Sequence, residues 1–152
     1  MQISSDFAIP LPPDDAYRLL LDLDLVVPCM PGATLGDPTG DGGRRVSVTV
    51  RLGAMRLSYD GTVRIVEGDP ASRRAVLEGQ AREARGQGNA KATITMTVSA
   101  ADDGSRADAL ADIVLSGRAA TMGRGIVQDV SRRMIADMAA CLQGRLSTSE
   151  SR

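Results

Sequence analysis

The sequence predicts an α+β fold: a curved antiparallel seven-stranded sheet around one long C-terminal helix, in the order β-α-α-β6-α, enclosing a hydrophobic cavity. Three observations predict it. Apolar residues recur at period two from Ala33 to about Ser116. They recur at helical spacing before and after that region. Clusters of Gly, Pro, Asp and Asn punctuate the period-two region at short intervals.

Taken in order, "QISSDFAI" alternates, with Ile3, Phe7 and Ile9 on one parity, and reads as a first strand. "PLPPDDAYRLLLDL" follows. Its prolines and its acids suit a helix N-terminus, and Ala16, Leu19, Leu20 and Leu23 form an apolar stripe. A short second helical turn runs through Asp24, Leu25, Val26 and Val27 and stops at "PCMPG".

Val46, Val48, Val50 and Leu52 then alternate with Ser47, Thr49 and Arg51. Met55, Leu57, Tyr59, Val63 and Ile65 continue the apolar parity, followed by Ala75 and Leu77, and by Ala92, Ile94, Met96 and Val98. A last strand covers about Ala107 to Ser116. The separators are "GDPTGDGG", "EGDPAS", "RGQGN" and "ADDGS". Each strand has one apolar and one polar face, as antiparallel sheets do. Met122, Ile126, Val127, Val130, Met134, Met138, Cys141 and Leu142 form the stripe of one long closing helix. The expected organisation is a single domain over residues 1–146 and a disordered polar tail over 147–152.

Composition excludes several chemistries. The 152 residues contain no histidine, so Ser-His and Cys-His nucleophile pairs and imidazole metal sites are absent. Cys29 and Cys141 form no CxxC and no zinc spacing. Cys29 follows a helix C-terminal end, which disfavours a thiolate. Both cysteines are expected to be packed and inert; a bond between them would require the fold to bring them together, which spacing does not show. The net charge of -1 gives no general pull toward nucleic acid. Phe7, Tyr17 and Tyr59 are the only aromatics, so aliphatic side chains and seven methionines must fill the core. Methionine tolerates variable apolar ligands. No basic start with an apolar run marks a secretory signal, and no apolar run approaches the ~20 residues of a membrane span. A cytoplasmic protein is expected.

Among polar candidates, Asp102 and Asp103 sit in a "DDG" turn and are expected to be solvated. Arg51, Arg56 and Arg64 share the polar parity with Thr49, Ser58 and Thr62. They read as a solvated outer face balanced by Asp60 and Glu78, or as a partner-docking or lipid-facing patch. "GRAATMGRGI" lies between a strand and a helix but lacks GxGxxG spacing and a parallel βαβ unit.

Several segments together resemble a known family. The element order is that of the START/Bet v 1 (SRPBCC, helix-grip) superfamily. Within it, Pro31-Gly32-Ala33, "VRLGAMRLSYDGTVRI", "ARGQGNAKA" and "VLSGRAATMGRGIV" resemble the CoxG family of carbon monoxide dehydrogenase subunits, over about residues 2 to 146. The resemblance implies a non-enzymatic accessory protein of a molybdenum-containing carbon monoxide dehydrogenase-type hydroxylase. Its cavity would hold an apolar molecule such as menaquinone, ubiquinone or another lipid, linking that enzyme to the membrane quinone pool. It also implies peripheral contact with the inner face of the cytoplasmic membrane. Many relatives carry a further C-terminal extension; this sequence ends at Arg152 after a polar tail, and anchoring through such a tail is not expected.

The residues expected to line the cavity are Leu25, Met30 and Pro31 at its mouth, Leu57, Tyr59, Leu77 and Met96 from the sheet, and Met122, Ile126, Val130 and Met134 from the helix. No catalytic or metal-binding residue is expected. Two other readings stay open: a ligand-free assembly or recruitment factor for the dehydrogenase, and a polyketide cyclase/aromatase-like enzyme.

Overall fold

Strand β1 (Gln2–Ile9) hands the chain to helix α1 (Pro13–Leu20) through a proline-rich bend. Pro13 fits the first helical turn, where an N–H has no partner to lose, and Asp14 and Asp15 complement the positive helix end. The helix stops at Leu21. Asp22 begins a separate short helix, α2 (Leu23–Val26), and a 3-10 turn (Val27–Cys29) continues from it. Leu23 therefore leaves the stripe predicted for α1, which buries Ala16, Tyr17 and Leu20 instead.

Six strands follow: β2 (Ala33–Pro38), β3 (Arg44–Leu52), β4 (Met55–Asp69), β5 (Arg74–Glu83), β6 (Asn89–Ala101) and β7 (Gly104–Leu115). The computed structural model describes residues 1–150, with side chains to residue 146. Its sheet is wholly antiparallel, in the order β1-β7-β6-β5-β4-β3-β2. Asp102 and Asp103 form the two-residue turn between β6 and β7 and are exposed, as expected; β7 starts earlier than predicted because that turn is so tight.

Curvature has an identifiable source at Gly61. A Cβ there would lie 1.9 Å from the Gln80 carbonyl oxygen and 2.5 Å from the Ala81 Cα. Strands β4 and β5 thus approach too closely at this point for any side chain, and the sheet coils. A bulge between Ile65 and Glu67 re-aims the far half of β4.

A second 3-10 turn (Gly117–Met122) separates β7 from helix α3 (Arg124–Glu150). The helical spacing predicts a helix that already includes Met122. Instead Gly123, at φ 87°, interrupts it, so Met122 belongs to the 3-10 turn and not to the α3 stripe. At the other end, α3 is described as far as Glu150, and residues 151–152 of the expected tail lie outside the described residues.

Helix α3 lies across the concave face. Its main backbone approaches are to β1, to β3 and to the two 3-10 turns. Gln143 Nε2 donates to the Ala8 carbonyl at 2.7 Å, tying the helix to the β1 edge.

Candidate ligand-binding site

The concave face carries two apolar clusters. One gathers Ile9, Tyr17, Leu20, Cys29, Met96, Val98, Met138 and Leu142 where α1 and the C-terminal half of α3 meet the sheet. The other gathers Leu52, Leu57, Tyr59 and Ala119, with Met122 and Val130 against them, beneath the second 3-10 turn. At the second cluster, where Ala81 and Ala90 also pack, the inward-facing positions become small. The register places Gly61 opposite Ala81 and Ala81 opposite Ala90; in the next row Gly79 stands opposite Ala92. All five are half-buried. These small residues give this part of the face a shallow apolar floor.

Tyr59 and Glu83 bring polar chemistry to that floor. They are direct cross-strand partners on β4 and β5, and both are buried, at 7% and 3% exposure. Both oxygens of the Glu83 carboxylate accept from backbone. The Ser58 N–H donates to Oε2 at 2.9 Å and the Arg85 N–H donates to Oε1 at 2.7 Å. These amides, Ser58 first, hold the Glu83 pKa below the ordinary carboxylate value. Glu83 is thus an ionised clasp on the β5–β6 turn, and its position argues against a general acid.

Tyr59 has the opposite character. Its hydroxyl is the buried side-chain polar atom without a hydrogen-bond partner among the described residues. Burial, and then the negative charge of Glu83, push its pKa above the ordinary phenol value. At neutral pH it therefore presents an O–H donor with nothing to donate to. A buried donor in that state costs about 1–3 kcal/mol, which a carbonyl-bearing ligand would remove.

The 3-10 turn closes this end through backbone. The Arg118 N–H donates to the Gln87 carbonyl at 2.9 Å, and the Ser116 N–H to the Asn89 carbonyl at 2.9 Å. Gly88 and Gly117 cross so closely that a Cβ on Gly88 would lie 2.0 Å from the Ser116 carbonyl oxygen. The Met122 side chain reaches the β3–β4 turn, with its Cε 2.8 Å from where a Gly53 Cβ would stand.

The opposite, outer face offers open grooves. One of about 530 Å3 is bordered by Asp60, Gln80, Arg82, Lys91 and Val114.

The profile of the CoxG family of carbon monoxide dehydrogenase subunits matches residues 6–147. The chain belongs to this family. Among curated proteins no sequence matches it. Solved structures agree on the fold. A conserved protein from Geobacillus kaustophilus superposes with a TM-score of 0.84 at 15% identity, covering 98% of this chain and 97% of the other. The Zhui aromatase/cyclase from Streptomyces sp. R1128 has a TM-score of 0.63 at 12% identity, covering 95% and 92%. A START superfamily protein from Mycobacterium smegmatis has a TM-score of 0.60 at 13% identity, covering 97% of each chain. At these identities the likeness concerns architecture: the helix-grip fold.

In this CoxG-family chain the predicted lining residues divide between the two clusters. Leu25, Met30, Leu77 and Met96 belong to the first. Leu57, Tyr59, Met122 and Val130 belong to the second. Met134 is half-buried on α3 but joins neither. Two further residues are exposed. Pro31 is exposed, because the chain has already left the 3-10 turn and is heading into β2. Ile126 is 39% exposed, because α3 starts only at Arg124 and its first turn overhangs the sheet end.

The cysteines differ from expectation most. Cys29 and Cys141 form a disulfide, with Cα atoms 5.5 Å apart. The bond ties the first 3-10 turn to α3 across 112 residues of sequence. Glu83 was missed by sequence reasoning, although its parity pointed to it: Ala75, Leu77, Gly79 and Ala81 precede it at period two, so an acid at 83 had to face inward or end the strand. Among the described residues no group of His, Cys, Asp or Glu has metal-binding geometry. Among the same residues no helix is long and apolar enough to cross a membrane.

Proposed function

We propose that this chain is a non-enzymatic binding protein that holds an isoprenoid quinone between sheet and helix, as an accessory to a carbon monoxide dehydrogenase-type molybdenum hydroxylase. The observation that carries the ligand reading is the Tyr59 hydroxyl, a buried neutral donor without a partner amid apolar side chains. A quinone supplies the two complements: a carbonyl acceptor for Tyr59 and an apolar tail for the small-residue floor and the methionines. Burying on the order of 300 Å2 of tail at ~25 cal/mol per Å2 gives several kcal/mol before binding costs. Membership of the CoxG family supports the accessory role. Menaquinone and ubiquinone both meet the chemical requirement.

Glu83 weighs against a cyclase-like activity. Each of its oxygens accepts a backbone N–H and its pKa is lowered, so at neutral pH it lacks the protonated form that acid catalysis requires. Native mass spectrometry of purified protein, with lipid extraction, tests the ligand reading. A co-purifying quinone, or a rise in melting temperature on adding menaquinone or ubiquinone, is the expected result. Protein that stays empty and shows no thermal shift with either quinone overturns it and leaves the assembly or recruitment role.

A further inference from the structure

Among the described residues, Glu83 is the one Asp, Glu, Lys or Arg that is buried. It also lacks a cation. Every ion pair among the described residues joins other groups, and Arg85, two positions away, is exposed. Backbone holds the carboxylate instead, through the Ser58 and Arg85 amides. Amide dipoles stabilise a charge without cancelling it, so a net negative charge stays on the concave face.

That charge lies beside Tyr59. The two are direct cross-strand partners, and direct partners stand with Cβ atoms about 5 Å apart on one face of a sheet. The field of Glu83 reaches the Tyr59 hydroxyl, where it adds to burial in raising the phenol pKa. The surroundings are apolar: Leu52, Leu57 and Ala119 are buried with Tyr59, and water screens a charge poorly there. A ligand oxygen that accepts from Tyr59 would lie in the same field, one hydrogen bond further on.

We infer that Glu83 is a charge filter: the site beside Tyr59 admits neutral carbonyl-bearing lipids and rejects anionic ones, free fatty acids in particular. This rests on the reading that the concave face takes an apolar ligand. Fatty acids are the competitor that matters, because a floor of small apolar residues cannot tell their chains from an isoprenoid tail. Two unit charges about 7 Å apart at an effective dielectric of about 20 repel enough to weaken binding by roughly 50-fold. Arg85 and Arg118 are exposed on the turns at this end and would draw an anion in, so rejection has to come from the buried charge.

Probes of one chain length test it: methyl decanoate, decylamine and decanoate, each competing with decylubiquinone in equilibrium dialysis of the full chain at neutral pH. Burial penalises a charge of either sign, so the difference between amine and acid is what reports on Glu83. Decanoate should bind more weakly than decylamine by roughly tenfold or more, and more weakly than methyl decanoate. In Glu83→Gln, shown to be folded by circular dichroism, acid and amine should converge to within about threefold. If that variant does not fold, the comparison in the unmodified chain decides. Decanoate that binds there as tightly as decylamine overturns the filter and leaves quinone binding in place. A gap that persists in folded Glu83→Gln also overturns it, because the discrimination then comes from another group. Failure of decylubiquinone itself to bind overturns the ligand reading, and the filter with it.

Discussion

Cys29 and Cys141, 112 residues apart in sequence, are bonded to each other, and that bond joins α3 to the 3-10 turn just ahead of Met30. It closes a loop that spans nearly the whole sheet. Cross-links of this kind stabilise chiefly by restricting the unfolded chain, typically by about 2–4 kcal/mol. Cys29→Ala with Cys141→Ala should therefore lower stability by about that amount in denaturant unfolding. A thiol reductant should lower the melting temperature of the unmodified chain and leave that of the double variant unchanged.

Glu83 makes stability depend on pH. Its backbone amide donors hold its folded-state pKa below the ordinary value of about 4.3. A lowered folded pKa contributes stability that is present above the unfolded value and is lost as pH falls through the folded value. Glu83→Gln should lower the melting temperature at neutral pH and make its further fall below about pH 4 shallower. Asp14, beside Arg73, and Asp41, which accepts from Thr39, are also lowered, so part of the acid dependence should remain. Thermal melts of both proteins across pH 2–7 check this.

Tyr59→Phe should move two readouts in opposite directions. The substitution deletes a buried hydroxyl that lacks a partner, so the ligand-free protein should be as stable or up to about 1 kcal/mol more stable. The same deletion removes the donor to a quinone carbonyl and should weaken quinone binding by roughly tenfold. Denaturant unfolding without ligand and a quinone titration measure the two effects. Weaker binding together with a marked loss of stability would instead show a packing role for the hydroxyl.

Much of the fold was legible because its determinants are local. Period-two alternation marks each strand, and turn residues mark the breaks, so the element order followed from spacing alone. The inward parity of Leu57, Tyr59, Leu77 and Met96 was legible for the same reason, because it is a property of the strands that carry them. What escaped depends on long-range or single-residue geometry. Nothing near Cys29 or Cys141 in sequence announces a partner 112 positions away. Met122 and Ile126 fit a helical period, but Gly123 breaks the helix between them, and a period cannot register a single φ. The role of Glu83 requires the β5–β6 turn to fold back and present its amides.

Met122→Trp and Val130→Trp test whether the second cluster is a packed core or the wall of a binding space. Both side chains are half-buried against Leu57 and Tyr59. In a filled core an added ring typically costs 1–3 kcal/mol or more. In a space that receives a ligand, it should cost less than about 1 kcal/mol and abolish quinone binding. Unfolding free energy and quinone titration on each variant distinguish the two.

Two glycine substitutions should have opposite signs. Gly88 has φ 127°, and a Cβ there would meet the Ser116 carbonyl oxygen at 2.0 Å and the Gly117 Cα at 2.8 Å. Those contacts are backbone, so no side-chain rotation relieves them. The crossing also positions the Arg118 N–H on the Gln87 carbonyl. Gly88→Ala should therefore cost about 2 kcal/mol or more, and it should loosen the turn that carries Ala119 and Met122 over Tyr59. Gly125 lies in the first turn of α3, where a Cβ would meet nothing within 4 Å. Gly125→Ala exchanges a poor helix former for the best one and should stabilise the protein by up to about 1 kcal/mol. Hydrogen exchange at the Arg118 amide should quicken in Gly88→Ala and stay unchanged in Gly125→Ala. Equal exchange in both would mean that the Gly88–Gly117 crossing does not hold this end of the site.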